Sequence, residues 1–155
     1  MGGGLHVGLV ASGWGVTMDI SYAVTPFLAW LMAGGLKFCI NSLRAGKPAF
    51  ALIGYGGMPS NHSAIVSSMA ALIAFRQGIG DPAFGVALSL AFIVMLDANS
   101  LRRQVGRHAE AINRLAMTDA RHVPLRERMG HTRAEILGGV VTGCVVAWVV
   151  SRLSA

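Results

Sequence analysis

Apolar residues run in four long blocks, and the polar residues between them fall at regular places. The first block extends from Ile20 to about Leu43 and the second from His62 to about Phe75. The third opens at Asp81-Pro82 and runs to about Leu96, and the fourth runs from near Thr132 to Val150. Roughly 20 mostly apolar residues cross a bilayer as a helix. The pattern therefore predicts an all-α integral membrane bundle of four or five transmembrane helices. Pro26 and the Gly34-Gly35 pair inside the first block are compatible with a membrane helix. Asp81 as N-cap with proline at the first helical position marks one helix start, and Ser60 and Asn61 are suitable caps for another. Trp148 near the end of the last block suits the membrane interface.

The segments outside these blocks carry their own expectations. Residues 101–130 are the one extended polar region, and Arg107, His108, Glu110, Asn113 and Arg114 within it have helical spacing. They predict an amphipathic helix on the membrane surface. Residues 1–18 are glycine-rich and mildly apolar, without the basic segment and cleavage site of a signal peptide. They are expected to form a flexible or interfacial lead-in, with Met18 as an alternative start. Residues 19–155 are then a single membrane domain.

Composition strengthens the membrane reading. Hydrophobic residues make up 54% of the 155 and charged residues 13%, whereas a soluble domain has about 25% charged residues. Mean hydropathy is +0.57. The net charge of +6 collects in the connections between apolar blocks, which points to anionic lipid headgroups and topology control. It does not point to nucleic acid, because aromatic residues are not interleaved with the cations. Cys39 and Cys144 lie in apolar blocks without zinc-site or disulfide spacing, so both read as small packing residues.

Antiparallel alternation brings four polar places to one membrane face: the end of the first block, the start of the second, the end of the third and the start of the fourth. Those places hold Lys37 and Arg44, Ser60–Ser63, Asp97–Arg103, and His131–Glu135. The opposite face has Arg76, Asp81 and Arg152. By the positive-inside count the richer face is cytoplasmic.

The stretch Gly56-Gly57-Met58-Pro59-Ser60-Asn61-His62-Ser63 passes from loop to helix with a histidine beside the helix N-terminus. Backbone N–H groups in that setting attract a phosphate or another anion. Lysine, arginines and two histidines around it suit a phosphoryl group, with one histidine attacking phosphorus and the other protonating the leaving oxygen. Glu135 follows His131 by four residues, so on a helix it can hold the imidazole tautomer. Thr132-Arg133-Ala134-Glu135 is equally a capping box for the fourth helix. Metal binding would draw on His62, His108, His131, Glu110 and Glu135, but no tight ligand pair is present and the arginines would repel a cation.

These residues resemble the type 2 phosphatidic acid phosphatase and vanadium haloperoxidase superfamily, specifically its small divergent membrane branch. Lys37 and Arg44 have the spacing of the first signature, with Ala45 in place of its proline. Pro59-Ser60-Asn61-His62 matches the second, with asparagine for glycine. His131, Glu135 and Gly138-Gly139 match the end of the third, with glutamate for aspartate. The Ser-Arg half of that signature is displaced to Ser100-Leu101-Arg102-Arg103. His108 also follows Arg102 by the right interval, but Ile112 stands where the carboxylate should fall, which favours His131.

The resemblance covers roughly residues 20 to 152 and implies a phosphatase of lipid phosphates or diphosphates that needs no metal or other cofactor. It implies His131 as the nucleophile that forms a phosphohistidine, Glu135 as its orienting group and His62 as the acid for the leaving alkoxide. Lys37, Arg44, Arg102 and Arg103 would bind phosphate oxygens, with Ser60 and the backbone near Asn61. Asp97 would partner one arginine, and vanadate would mimic the transition state. The expected setting is a bacterial inner membrane, with the lipid phosphate and the bilayer as partners. Small-residue spacing such as Gly139…Gly143 allows helices to pack within or between chains. The competing reading is a non-catalytic protein that binds or transports lipid phosphates in the same pocket.

Overall fold

A computed structural model describes residues 19–46, 48, 57–117 and 121–154. The lead-in at 1–18, Lys47 and Gly56 lie outside the described residues. Among the described residues there are four helices: α1 (Ser21–Ala45), α2 (Asn61–Arg76), α3 (Pro82–Leu115) and α4 (Arg133–Leu153). No strand occurs among the described residues. α1, α3 and α4 are each long and apolar enough to cross a membrane, while α2, with 16 residues, is shorter.

α2 is the hub, packing against α1, α3 and α4. Its composition explains this. Ser63, Ala64, Ser67, Ser68 and Ala70 are buried, and side chains this small let neighbouring backbones come close. Buried hydroxyls are satisfied within their own helices: Ser68 donates to the Ile65 carbonyl at 2.8 Å, Ser67 donates to that of Ser63, and Thr142 donates to that of Gly138 at 2.8 Å.

The closest approach is between α2 and α4. A Cβ added at Gly139 would overlap the Ser60 carbonyl oxygen and come within 2.8 Å of the Ser63 Cβ. One at Gly143 would overlap the Ala64 carbonyl and come within 2.7 Å of the Ser67 Oγ. α1 joins the same seam through Ala29 and Ala33, fully buried against Ala64 and Val146.

The outer faces are the reverse. Phe27, Leu31, Phe92, Ile93 and Leu137 are all exposed by 60% or more. An apolar surface this continuous is stable against lipid and not against water, which makes the chain an integral membrane protein. At the end remote from Ser60, Arg76 pairs with Asp19, donates to Ser21 Oγ at 2.6 Å and to the Ser154 carbonyl at 3.0 Å. One guanidinium thus ties the start of α1, the end of α2 and the end of α4.

Two expectations are corrected. The third apolar block does not stop at Leu96: its helix continues through a π-helical stretch, Asp97–Leu101, to Leu115. The predicted amphipathic helix is present over Arg102–Leu115, but as a continuation of this helix and not as a separate element. The polar side chains there changed the helix's surroundings without breaking its hydrogen bonding, since no glycine or proline terminates it before Leu115. The rest of the polar region, from residue 121 to Thr132, is irregular chain.

The contact at Gly143 is a sharp test of the packing. Gly143→Leu should destabilise the detergent-solubilised protein by about 1–3 kcal/mol or more, the usual range for overpacking. Gly35→Ala, with no atom within 4 Å of the added carbon, should leave the thermal midpoint nearly unchanged. Equal midpoints for the two variants would contradict the close α2–α4 seam.

Candidate functional site

The N-termini of α2 and α4 lie side by side because of that seam, and the residues before them are bonded together. The Ser60 amide donates to the Glu135 carbonyl at 2.8 Å. Ser60 is fully buried and caps α2, accepting from the Ser63 amide at 3.4 Å and from the Ser63 hydroxyl at 3.1 Å. Its hydroxyl oxygen thus accepts two bonds inside the protein. What the first turn of α2 offers to a ligand is the pair of N–H groups of Asn61 and His62, which have no acceptor within the helix. The Asn61 carboxamide oxygen is buried without a hydrogen-bond partner among the described residues.

α4 begins with a carboxylate that does two things. Thr132 Oγ1 accepts from the Glu135 amide at 3.2 Å, and Glu135 Oε2 accepts from the Thr132 amide at 2.9 Å, completing a capping box. The same Oε2 lies 3.2 Å from Nδ1 of His131. The cap and the histidine partner are thus one arrangement. With Nδ1 held, Nε2 is the ring nitrogen left available. His131 is 9% exposed, and its amide donates to the Ala98 carbonyl at 2.9 Å.

That last bond depends on the π-helical stretch of α3 and on Gly130. Gly130 has φ of +87°, and an added Cβ would come within 2.8 Å of Arg103 Cγ and 3.3 Å of the Ala98 oxygen. Only glycine fits both constraints. The sequence reading passed over Gly130 as a site residue, although a glycine directly before the histidine was its visible signal. It also passed over Asn41, whose carboxamide lies against Gly57 one turn beyond Lys37.

The rings of His62 and His131 face each other with centroids 6.3 Å apart and planes tilted by 54°. His62 is the more open of the two. Lys37, Arg102, His131 and Asp97 all act electrostatically on its imidazole, and the Glu135 charge acts on Lys37. Lys37 therefore faces the bundle interior and not the lipid. Asp97 pairs with Arg102, Oδ2 to Nε at 3.1 Å.

The remaining candidates are peripheral. Arg44 is exposed in the last turn of α1, about 10 Å along the axis from Lys37 at 1.5 Å per residue. Arg103 is exposed, with its stem against Gly130. His108 is exposed further along α3, two turns beyond the cluster. Among the described residues no three His, Cys, Asp or Glu side chains converge as a metal would require.

Partial desolvation is the main influence on His62, followed by the charge of Arg102 and then by His131 and Lys37. Together they lower its pKa below the ordinary histidine value, while Asp97 pulls the other way. These influences favour the neutral imidazole in the free protein, and an arriving anion would favour the protonated form.

The bundle thus brings together two facing histidines, a carboxylate on one of them, and cations and free N–H groups around both, an arrangement whose charge could hold a tetrahedral anion. The sequence profile of the Divergent PAP2 family matches residues 19–146, and the chain belongs to that family. It is also 32% identical over 145 residues to the uncharacterized membrane protein YuiD of Bacillus subtilis (strain 168), a match covering 83% of this chain and 92% of that protein. No solved structure matches it.

The charge on Arg102 gives a direct check of this electrostatic picture. Arg102→Gln removes a cation that disfavours the imidazolium, so the titration midpoint of His62, followed by NMR of the ring Cε1–H, should rise. A midpoint that stays or falls would mean that Arg102 does not act on His62.

Proposed function

We propose that this protein is a phosphatase of lipid phosphates or diphosphates that works through a phosphohistidine on His131. The observation that carries this reading is the His62–His131 pair at 6.3 Å with Glu135 on the far nitrogen of His131. A nucleophile approaches at about 3–3.5 Å and an acid hydrogen-bonds at about 2.6–3.2 Å, so one phosphoryl group fits between the rings.

In the first step Nε2 of His131 attacks phosphorus and the bond to the lipid oxygen breaks. Imidazolium His62 delivers its proton to that departing oxygen. Glu135 holds the Nδ1 proton and balances the positive charge that develops on the ring. In the second step neutral His62 takes a proton from water, the resulting hydroxide displaces His131, and phosphate leaves. Lys37, Arg102 (oriented by Asp97) and the N–H groups of Asn61 and His62 neutralise the equatorial oxygens. Arg44 and Arg103, at the rim, suit the second phosphate of a diphosphate.

The lipid tail has a place beside this site. α3 packs mainly on α2, and a groove of about 450 Å³ opens between α3 and α4, lined by Phe92, Leu96, Leu137 and Val140 with Asn99 and Arg133 at its polar end. Arg133 and Asn99 are near neighbours in sequence of His131 and Ala98, so a chain in the groove brings its headgroup to the histidines. The setting we propose is a bacterial inner membrane with the site on the cytoplasmic face, where the cations of α3 and the following loop collect.

The test is phosphate release by the purified protein from a panel of lipid phosphates. Release should be inhibited by vanadate, fall to background in His131→Ala and drop about 10²–10⁴-fold in His62→Ala, the usual range for a general acid. Leu137→Trp should slow long-chain substrates far more than short-chain ones. Binding of lipid phosphate without release by the wild-type protein would replace the phosphatase with a binding or transport protein.

A further inference from the structure

The part of α3 beyond the π-helical stretch has three distinct faces. Gly106, Ala109 and Asn113 hold the irregular segment that follows, with the Asn113 carboxamide donating to the Leu125 carbonyl at 2.9 Å and to Glu127 at 2.8 Å, and accepting from the Leu125 amide at 2.8 Å. Arg103, Arg107, Glu110 and Arg114 form a charged face on the other side. The third face is apolar and uncovered: Leu101, Val105, Ile112 and Leu115 are exposed by 59, 42, 46 and 86%, with His108 in line between them.

An apolar stripe on a strongly amphipathic helix needs a cover. The bilayer is poorly placed to provide it. Helical geometry runs without interruption from Pro82 to Leu115, so the extension leaves the membrane along the direction of the span for about 21 Å, at 1.5 Å per residue. Because the helix continues through the π-helical stretch, the extension is carried on from the span and does not start as a separate element along the headgroups.

The spacing of the stripe, four then three then four then three, is that of a heptad seam. Val105 and Ile112 take the a positions and Leu101, His108 and Leu115 the d positions. β-branched residues at a with leucine at d favour two parallel strands, and two copies in one membrane with one orientation can only be parallel. Charge fits the same partner. The positions flanking the seam are Gln104, Ala109, Ala111 and Ala116, together with Arg102, which is already paired with Asp97 at 3.1 Å. In a chain of net charge +6, this is a face that two copies can bring together without opposing cations. Val123 and Leu125, held beside it by Asn113, extend the apolar patch.

We infer that two copies of this chain pair in parallel through the a and d positions of the α3 extension, just outside the membrane. The seam is two heptads long, shorter than a free peptide needs. Confinement of both chains to one membrane plane raises their effective concentration and makes a short seam sufficient. This pairing does not depend on the phosphatase reading.

The test is cysteine cross-linking in vesicles, in a Cys39→Ser, Cys144→Ser background. Only seam positions bring the same residue of two chains within the about 4.4–6.8 Å between Cα atoms that a disulfide spans. Val105→Cys and Ile112→Cys should convert to a dimer of doubled mass on mild oxidation, and Arg107→Cys and Arg114→Cys should stay monomeric. Adding Leu115→Asp to Ile112→Cys should abolish the dimer while the circular-dichroism spectrum and thermal midpoint are retained. Absence of a dimer at both seam positions, or equal cross-linking on the charged face, would overturn the pairing. Quenching of a fluorophore at position 112 by brominated lipid, without cross-linking, would also overturn it and assign the stripe to the bilayer.

Discussion

The contact on which the rest of this molecule depends is the approach of α4 to α2 at Gly139 and Gly143. Each glycine lies under a backbone carbonyl of α2 at a distance that no side chain can share. In a membrane, burial of apolar surface from water contributes little between helices, so van der Waals contact and satisfied polar groups have to hold them together. The α2–α4 seam supplies both: serines that bond to their own helix, and glycines that admit them. It also sets the two helix N-termini at one level. The Ser60 amide then reaches the Glu135 carbonyl, and His62 and His131 face each other.

Around that frame the polar end of the bundle is built with few residues doing several jobs. One Glu135 oxygen caps α4 and holds His131. The Ala98 carbonyl, within the π-helical stretch, fastens His131 to α3, which otherwise packs mainly on α2. π-Helical turns often mark functional sites, and here the mark has a physical content. It joins the histidine of one helix to the Asp97–Arg102 pair of another. Cations crowd His62 and favour its neutral form, and an arriving anion would offset them and favour its protonation.

The consequence of tying α3 to the bundle mainly through α2 is that its other faces stay open. One opens as the groove toward α4 within the membrane, and one as the apolar stripe outside it. A single helix of 34 residues thus connects the lipid phase, the histidine pair and a surface suited to a second copy.

Much of this was legible from residue order alone. Block length and low charge determined a helical membrane bundle, because a chain with 13% charged residues cannot cover its surface in water. Antiparallel alternation determined that Lys37, His62, Asp97 and His131 would meet at one end. Thr132 and Glu135 showed a capping box, and i,i+4 spacing showed a histidine partner, but the local pattern could not show that one carboxylate oxygen does both. Tertiary structure alone decided that. It also decided that Ser60 turns inward as a cap, that Lys37 faces the bundle, and that Arg44 and Arg103 stay at the rim. The polar segment after Leu96 read as a separate surface helix because polarity changes there. The backbone, which responds to hydrogen bonding and to the absence of proline, simply continued. Gly130 shows the same limit: its identity was plain, but the need for a missing side chain exists only where Arg103 and Ala98 of another helix press against it.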